Sequence, residues 1–556
     1  MARIVIVGGV AGGMSAAARL RRLDESAEII VFERGPFVSF ANCGLPYYAS
    51  GVIPERDELI VEDAPSLRAQ LLLDIRTETN VVSINRTAKT IAVEDTNRQR
   101  SEEAYDTLIL SPGAAAVRPP IPGVDDSRIH TIRSIPDIDA LKSRLDTGKL
   151  REAVVVGGGF IGVEMADNLL RANVKVHLVE MTNQVLSNML DPDMAAFAHA
   201  HLRSKGLHLH FGSPVHEFVD HDGQLAVVLS NGSYLKADAV ILAIGVRPEV
   251  NLAVAAGLAL GLRGGIAVDE YLRTSDPHIY AIGDAIEARD VVTGSQTLVA
   301  LAGPANKQGR LVADNIYGRR VPYKGTQGTA IVDALGMVAA GTGATSAALK
   351  RAGLPHLASV IHAYSNAAYF PGATPLTIKL LFDQKGRILG AQVVGEKGVD
   401  KRIDVLATAL RLGATVYDLQ ELELAYAPQF GSAKDPVNIA GYVAGNILAG
   451  DVTTVQATQV PDLENIATFL DVREPEEHAR GSIPGSLNIP LAQLRERLSE
   501  IPRGKPVVVY CQVGRRAYIA CRALRQLGLD VANLAGGWRS YAALKSEESR
   551  AMSLTH

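Results

Sequence analysis

The chain has 556 residues, 47% of them apolar and 21% charged, with a net charge of −4. That length predicts roughly three to four domains at ~150 residues each, and the balanced charge offers no field for nucleic acid or an acidic membrane. No apolar run approaches the ~18 residues of a membrane span; residues 239–244, among the longest, are the size of a buried strand. Three cysteines, Cys43, Cys511 and Cys521, are too few for a disulfide scaffold and suit a reducing cytoplasm.

The alanine-rich apolar stretch after Arg3 has the profile of a signal peptide, but the glycines at positions 8, 9, 12 and 13 argue for a nucleotide fold instead. Residues 4–7 form an apolar run fit for a strand buried on both faces of a parallel sheet. The run enters Gly8-Gly9-Val10-Ala11-Gly12-Gly13, and a helical stretch follows to Leu23. A second strand at 28–32 ends at Glu33, 20 residues after Gly13, the distance expected of a carboxylate that holds a ribose hydroxyl. Val10 replaces the middle glycine of the usual G-x-G-x-x-G pattern. Gly9 or Gly12 is therefore expected to allow close approach of a pyrophosphate at the helix N-terminus.

Cys43 lies in Ser39-Phe40-Ala41-Asn42-Cys43-Gly44-Leu45-Pro46-Tyr47, shortly after that site, and no other cysteine lies within hundreds of residues of it. A two-electron step at this thiol therefore needs a sulfur or oxygen partner from elsewhere: a mixed disulfide, a persulfide or a sulfenic acid. A buried, inert cysteine is the alternative.

A second fingerprint, Gly157-Gly158-Gly159-Phe160-Ile161-Gly162, follows an apolar strand at 153–156, and the next strand ends at Glu180. A carboxylate there accepts from a free 2′-hydroxyl and repels a 2′-phosphate, which favours NADH while leaving NADPH possible. Two strand-then-glycine segments, at 105–114 with Ser111, Pro112 and Gly113 and at 237–245 with Gly245, are expected to carry the chain between the two nucleotide folds. One fixed flavin and one exchanging nicotinamide account for two such sites.

With residues 274–285 added, the chain resembles the flavin-dependent pyridine-nucleotide disulfide oxidoreductases. That likeness implies that Asp284 holds the ribityl–pyrophosphate part of FAD, that Arg34 and Ala302 also line the FAD site, and that Phe160 shields the flavin face; ordinary core packing is the other reading of Phe160. The stretches 39–47, 301–310, 369–373 and 423–435 resemble the single-cysteine coenzyme A-disulfide reductases and NADH-dependent persulfide reductases. In that family Ser15, Arg19, Arg22, Ser39, Asn42, Asn306 and Lys434 match positions that contact coenzyme A as a bound co-substrate, although charged residues on a helix face are often simply solvated. Tyr426 matches a tyrosine that assists the thiol as a proton donor, and Tyr369, followed here by Phe370, matches a second one. The resemblance also implies a homodimer that shares these tyrosines across its interface.

Past a linker, a buried strand at 506–510 delivers Cys511-Gln512-Val513-Gly514-Arg515-Arg516 to the start of a helix. Successive amides, a helix N-terminus and two arginines make an anion cradle with a thiol in it. It resembles a single rhodanese domain, in which the loop cysteine carries sulfane sulfur; a phosphatase of rhodanese-like fold is the competing reading. Cys521, ten residues on, reads as a packed core residue.

The expectation is an α/β chain: FAD-binding residues 1–113 and 246–322, NAD-binding residues 114–245, an α+β dimerisation domain at 323–446, a linker at 447–461 and a rhodanese domain at 462–556. The expected activity is cytoplasmic NADH-dependent reduction of a coenzyme A persulfide, polysulfide or coenzyme A disulfide through a mixed disulfide between Cys43 and coenzyme A. Cys511 is expected to deliver sulfane sulfur, and no metal is expected. The alternatives are an NADH oxidase or peroxidase using a Cys43 sulfenic acid, and a coenzyme A-binding redox sensor.

Overall fold

The computed structural model describes residues 2–553, which divide into two compact units. The first comprises residues 1–179 and 213–328, the second residues 180–212 and 329–556.

In the first unit, five parallel strands stand in the order Ile279–Ala281, Thr107–Leu110, Arg3–Val7, Glu28–Phe32, Asp74–Arg76. The middle strand pairs in register on both sides, Val7 with Phe32 and with Leu110. Helices cover both faces of such a sheet, so Val5 and Ile6 are fully buried. The helix Ala11–Leu23 begins inside the glycine run, earlier than the glycines alone suggest, because Gly12 and Gly13 pack where a side chain would collide. It lies against the helix Ala302–Ile316. A second sheet places Glu152–Val156 between Lys175–Glu180 and Ala239–Leu242. The two crossovers read from the sequence do meet: Ala114–Ala116 pairs antiparallel with Val246–Pro248.

In the second unit, an antiparallel sheet runs Ala330–Ala334, Met337–Gly343, Ile388–Gly395, Pro375–Phe382, Leu357–Tyr364. The helix Val399–Leu412 follows its strand Ile388–Gly395. Beyond it, five strands form a parallel sheet in the order Thr453–Val455, Val531–Leu534, Val507–Tyr510, Thr468–Asp471, Leu487–Asn488.

One expected boundary needs correction. Residues 447–461 are no free linker: Thr453–Val455 is an edge strand on Val531–Leu534, and Val460 is fully buried. The polar Thr453 and Thr454 give no sign of this, because an edge strand need bury only part of its surface. Residues 180–212 group with the second unit by their contacts. The reason is a buried ionic cluster: Lys379 Nζ lies 2.8 Å from Asp193 and 3.0 Å from Asp191. Gln392 Oε1 accepts from the Asp191 backbone N–H, and Ser346 donates to the Asp191 carboxylate.

Within this cluster Asp191 is held below the ordinary carboxylate range: burial raises its pKa, but the Lys379 charge and several hydrogen bonds outweigh it. Its stabilising contribution is present at neutral pH and lost as pH falls through that depressed value. Replacing Lys379 with Met leaves two buried carboxylates without their cation. The expected loss is ~3–5 kcal/mol of stability for this unit, read as a lowered denaturation midpoint at pH 7.

Candidate active site

Each glycine turn sits where a parallel strand meets a helix. Gly8 has φ +101°, and a Cβ there would lie 2.0 Å from the Ser111 carbonyl oxygen. A Cβ on Gly13 would strike the Gly8 carbonyl oxygen, so both residues serve strand–helix packing. Glu33 is fixed by both carboxylate oxygens, one accepting from Gly9 N–H and the other from Gly35 N–H, each at 2.8 Å. A cavity of about 870 Å³ opens here, lined by Gly8, Val10, Glu33, Arg34, Asn42, Ser111, Pro112 and Gly113. The cradle fits a dinucleotide cofactor in volume, in its backbone amides and in its acid. A Cβ on Gly9 would meet Val38 and one on Gly12 the Ser111 hydroxyl, and Val10 forms part of the cavity wall. Asp284 accepts from Arg133 Nη2 at 3.2 Å, and Arg133 lines the cavity. Ala11 and Ala302 each begin a helix, and Ala302 is exposed.

Cys43 lies in the short turn Asn42–Gly44, ahead of the helix Leu45–Ser50. It is exposed, with its Sγ 3.6 Å from Asn42 Oδ1. Ser39 enters this turn at φ +48°, a left-handed conformation uncommon for a side-chain-bearing residue, held between Gly9 and Val61 by backbone hydrogen bonds. The protein around Cys43 withdraws enough water to raise its thiol pKa; the charges of Glu164 and Asp284 push it the same way, and Arg133 opposes them. Glu164 is itself raised to about 7 by burial, against a hydrogen bond donated by Tyr47 Oη at 3.4 Å.

The second fingerprint repeats the first: a Cβ on Gly157 would collide with the Ala243 carbonyl oxygen, and one on Gly162 with that of Gly157. A Cβ on Gly159 would meet nothing within 4 Å, nor would one on Gly245. Open space at Gly159 is what backbone approach by a pyrophosphate requires. Phe160 and Ile161 open the helix Phe160–Arg171 half-buried, so Phe160 is not a core residue. Glu180 ends its strand with its carboxylate accepting from Thr182 N–H at 2.8 Å.

Ser15, Arg19 and Arg22 share one face of the first helix at four- and three-residue spacing. Ser15 hydrogen-bonds Asn306, Arg19 is committed to Asp314 at 2.7 Å, and Arg22 is exposed. Tyr369 and Tyr426, both exposed, stand with their hydroxyls 3.3 Å apart, and that hydrogen bond leads the causes raising the Tyr426 pKa. Lys434 is exposed and lines a separate cavity of about 440 Å³ in the second unit.

That second cavity is also walled by Val513, Gly514 and Arg515, the loop after Cys511. Cys511 is buried at the end of Val507–Tyr510, and Gly514 at φ +93° turns the chain into the helix Arg515–Gln526. Only one of the two arginines there is uncommitted to a carboxylate. Arg516 forms a two-point pair with Glu477 at 2.7 Å while still reaching Cys511, and Arg515 is exposed. Gln512 Oε1 lies 3.5 Å from Arg473, whose guanidinium pairs with the fully buried Asp471. Cys521 packs in the same apolar cluster as Cys511, and burial pushes its thiol up to about 12, as suits a core residue.

Residues 2–309 match the pyridine nucleotide-disulphide oxidoreductase family and 335–435 match its dimerisation domain. The chain belongs to this family. It is therefore an oxidoreductase and a flavoprotein, with FAD and NADH as cofactors. Residues 456–544 match the rhodanese-like domain. A solved structure of reduced Bacillus anthracis CoADR-RHD is 49% identical with a TM-score of 0.96, covering 98% of each chain. An NAD-dependent persulfide reductase from A. fulgidus is 37% identical with a TM-score of 0.91, covering 97% of this chain and 100% of that one. At 32% identity stand a coenzyme A disulfide reductase of Staphylococcus haemolyticus, over 80% of this chain and 100% of that one, and an NADH oxidase of Methanocaldococcus jannaschii, over 79% and 97%.

In this flavoprotein, Glu164, Tyr47 and Arg133 are site residues that reading the sequence did not assign. Glu164 and Tyr47 each lie beside a motif, but their meeting joins positions 117 residues apart; Arg133 stands in a stretch with no motif. Glu164 ionises as pH rises through about 7, and its charge then opposes the Cys43 thiolate. Glu164→Gln is expected to lower the Cys43 pKa and to speed alkylation of Cys43 by iodoacetamide at pH 8 by roughly 3-fold. An unchanged alkylation profile would show that Glu164 does not act on this thiol.

Proposed function

We propose that the chain is an NADH-dependent reductase of a coenzyme A persulfide, a polysulfide or coenzyme A disulfide. The observation that carries this reading is that Cys43 is exposed in the first unit, while Cys511 and Cys521 are both buried in the rhodanese fold. A thiol with no partner cysteine in its unit takes the second sulfur of its redox couple from the substrate.

Bound FAD, reduced by NADH, supplies the electron pair. The chain's own residues do the rest. The Cys43 thiolate attacks the coenzyme A sulfur of the persulfide, HS⁻ leaves, and a mixed disulfide between Cys43 and coenzyme A forms. Two electrons and a proton then return the Cys43 thiolate and release coenzyme A as its thiol. With coenzyme A disulfide the leaving group is a second coenzyme A thiolate. In this reading Tyr426, paired with Tyr369, gives the proton to a departing thiolate, and Ser15, Arg19, Arg22, Ser39, Asn42, Asn306 and Lys434 hold the polyanionic coenzyme. Arg19 enters that role already paired with Asp314.

Two features support the supply of sulfur by the rhodanese domain. The loop after Cys511 shares a cavity with Lys434, and the B. anthracis and A. fulgidus relatives align over nearly the whole chain, rhodanese domain included. At Cys511 the thiolate takes the outer sulfur of a donor such as thiosulfate, sulfite leaves, and the persulfide passes that sulfur to an accepting thiol. Exposed Tyr369, Phe370, Tyr426 and Phe430 on the dimerisation domain suit burial against a second copy. The M. jannaschii relative supports a second reading, an NADH oxidase working through a Cys43 sulfenic acid.

Two variants test the scheme. Cys43→Ser is expected to abolish NADH-dependent persulfide and disulfide reduction, a loss of at least ~10³-fold. Cys511→Ser is expected to abolish thiosulfate:cyanide sulfur transfer and to spare reduction of a soluble coenzyme A persulfide. Full reductase activity in Cys43→Ser would refute the scheme, and oxygen turnover exceeding persulfide turnover would favour the oxidase.

A further inference from the structure

The sulfur loop does not hold its own shape. The carbonyl of Cys511 accepts from Trp538 N–H at 2.8 Å, and that of Gln512 from Arg539 N–H at 3.1 Å. Both donors lie in the first turn of the final helix, Gly537–Ser553. The approach is close: a Cβ on Gly537 would lie 2.3 Å from the Cys511 carbonyl oxygen. That first turn therefore holds the thiol-bearing loop, alongside the contacts of Asn533 with Gly514 and of Arg473 with Gln512.

The turn is in its own right held from outside the rhodanese domain. Ser540, 1% exposed, puts its Oγ 3.0 Å from His362 Nε2. His362 belongs to the strand Leu357–Tyr364 of the dimerisation domain, and its Nδ1 lies 2.8 Å from Thr377 Oγ1 on the neighbouring strand. A hydrogen bond to the Gly536 backbone joins the same ring to the glycine pair that starts the helix. The edge of the Phe197 ring or the His362 ring packs on the other's face, with centroids 5.7 Å apart and planes at 76°. The exposed part of His362 faces the 440 Å³ cavity that Gly514 and Arg515 also line. Burial and the nearby Arg539 charge press its pKa down to about 3, so the ring is neutral at pH 7, with one nitrogen to donate and one to accept.

We propose that His362 is a positioning residue for sulfur transfer at Cys511: it clamps the first turn of the final helix through Ser540 and so fixes the loop that presents the thiol. The proposal rests on the rhodanese reading above and adds that the dimerisation domain is part of the sulfur-transfer site. In this proposal the imidazole acts through Ser540 and the helix rather than on the donor sulfur.

The experiment is steady-state thiosulfate:cyanide sulfur transfer by the full-length, FAD-loaded protein, comparing wild type with His362→Ala, Ser540→Ala, the double variant and His362→Gln. Misplacing a reacting group by a fraction of an ångström costs on the order of tenfold in rate. Each alanine variant is therefore expected to lose about tenfold in kcat with little change in KM for thiosulfate. Because the two residues form one link, the double variant is expected to be no slower than the slower single one. His362→Gln, which keeps a donor and an acceptor, is expected to recover most of the rate. Wild-type kcat in both alanine variants, additive losses in the double variant, or no recovery in His362→Gln would overturn the clamp. Should His362→Ala fold poorly, Ser540→Ala and His362→Gln decide the matter alone. A wild-type chain that transfers no sulfur at all would overturn the rhodanese reading and this inference with it.

Discussion

The constraint on which the rest depends is the tight join between the carboxyl end of a parallel strand and the start of the next helix. It occurs at Gly8, at Gly157 and again at Cys511–Gly514. At the first two, a side chain would collide with the carbonyl oxygens of Ser111 and Ala243. At the third, Gly514 turns the chain with positive φ and Gly537 closes on the Cys511 carbonyl. Each join aims backbone N–H groups and a helix N-terminus at one point in space, which suits a pyrophosphate in two cases and a sulfur anion in the third. One physical device thus prepares three sites for negatively charged groups.

The two candidate thiols meet different surroundings. Cys43 is exposed, yet it is desolvated by the segments around it and faces the carboxylates of Glu164 and Asp284, with Arg133 as the counterweight. Its thiolate is therefore disfavoured by these surroundings. Cys511 is buried, with Arg516 reaching it, while a two-point pair with Glu477 holds that guanidinium in place. Arg473 under the loop is likewise locked by Asp471. Geometry around Cys511 is thus fixed by ion pairs whose charges are already balanced, leaving exposed Arg515 to meet an incoming anion.

Much of the fold and of both sites was legible in the sequence because glycine fingerprints and short apolar strands are local. The strands at 4–7, 28–32, 153–156 and 507–510 stand within a residue or two of where they were expected. What was not legible was long-range. Nothing near Thr453 announces an edge strand whose partner begins at Val531. Nothing near Asp191 announces Lys379, because a buried ion pair leaves no periodic trace along the chain. The Glu164–Tyr47 contact and the His362–Ser540 clamp join residues 117 and 178 positions apart.

The sequence by itself determined the chemistry: two dinucleotide turns, one thiol without a neighbour at Cys43, and a second thiol in an anion cradle at Cys511. These follow from residue type and spacing within single supersecondary units. Only the tertiary structure decided what surrounds the thiols: which arginine is committed to a carboxylate, which glutamate beside Cys43 titrates near neutrality, and which groups bond the carbonyls of the sulfur loop. The physical reason is that pKa and position depend on neighbours brought together by folding, and burial makes those few contacts count.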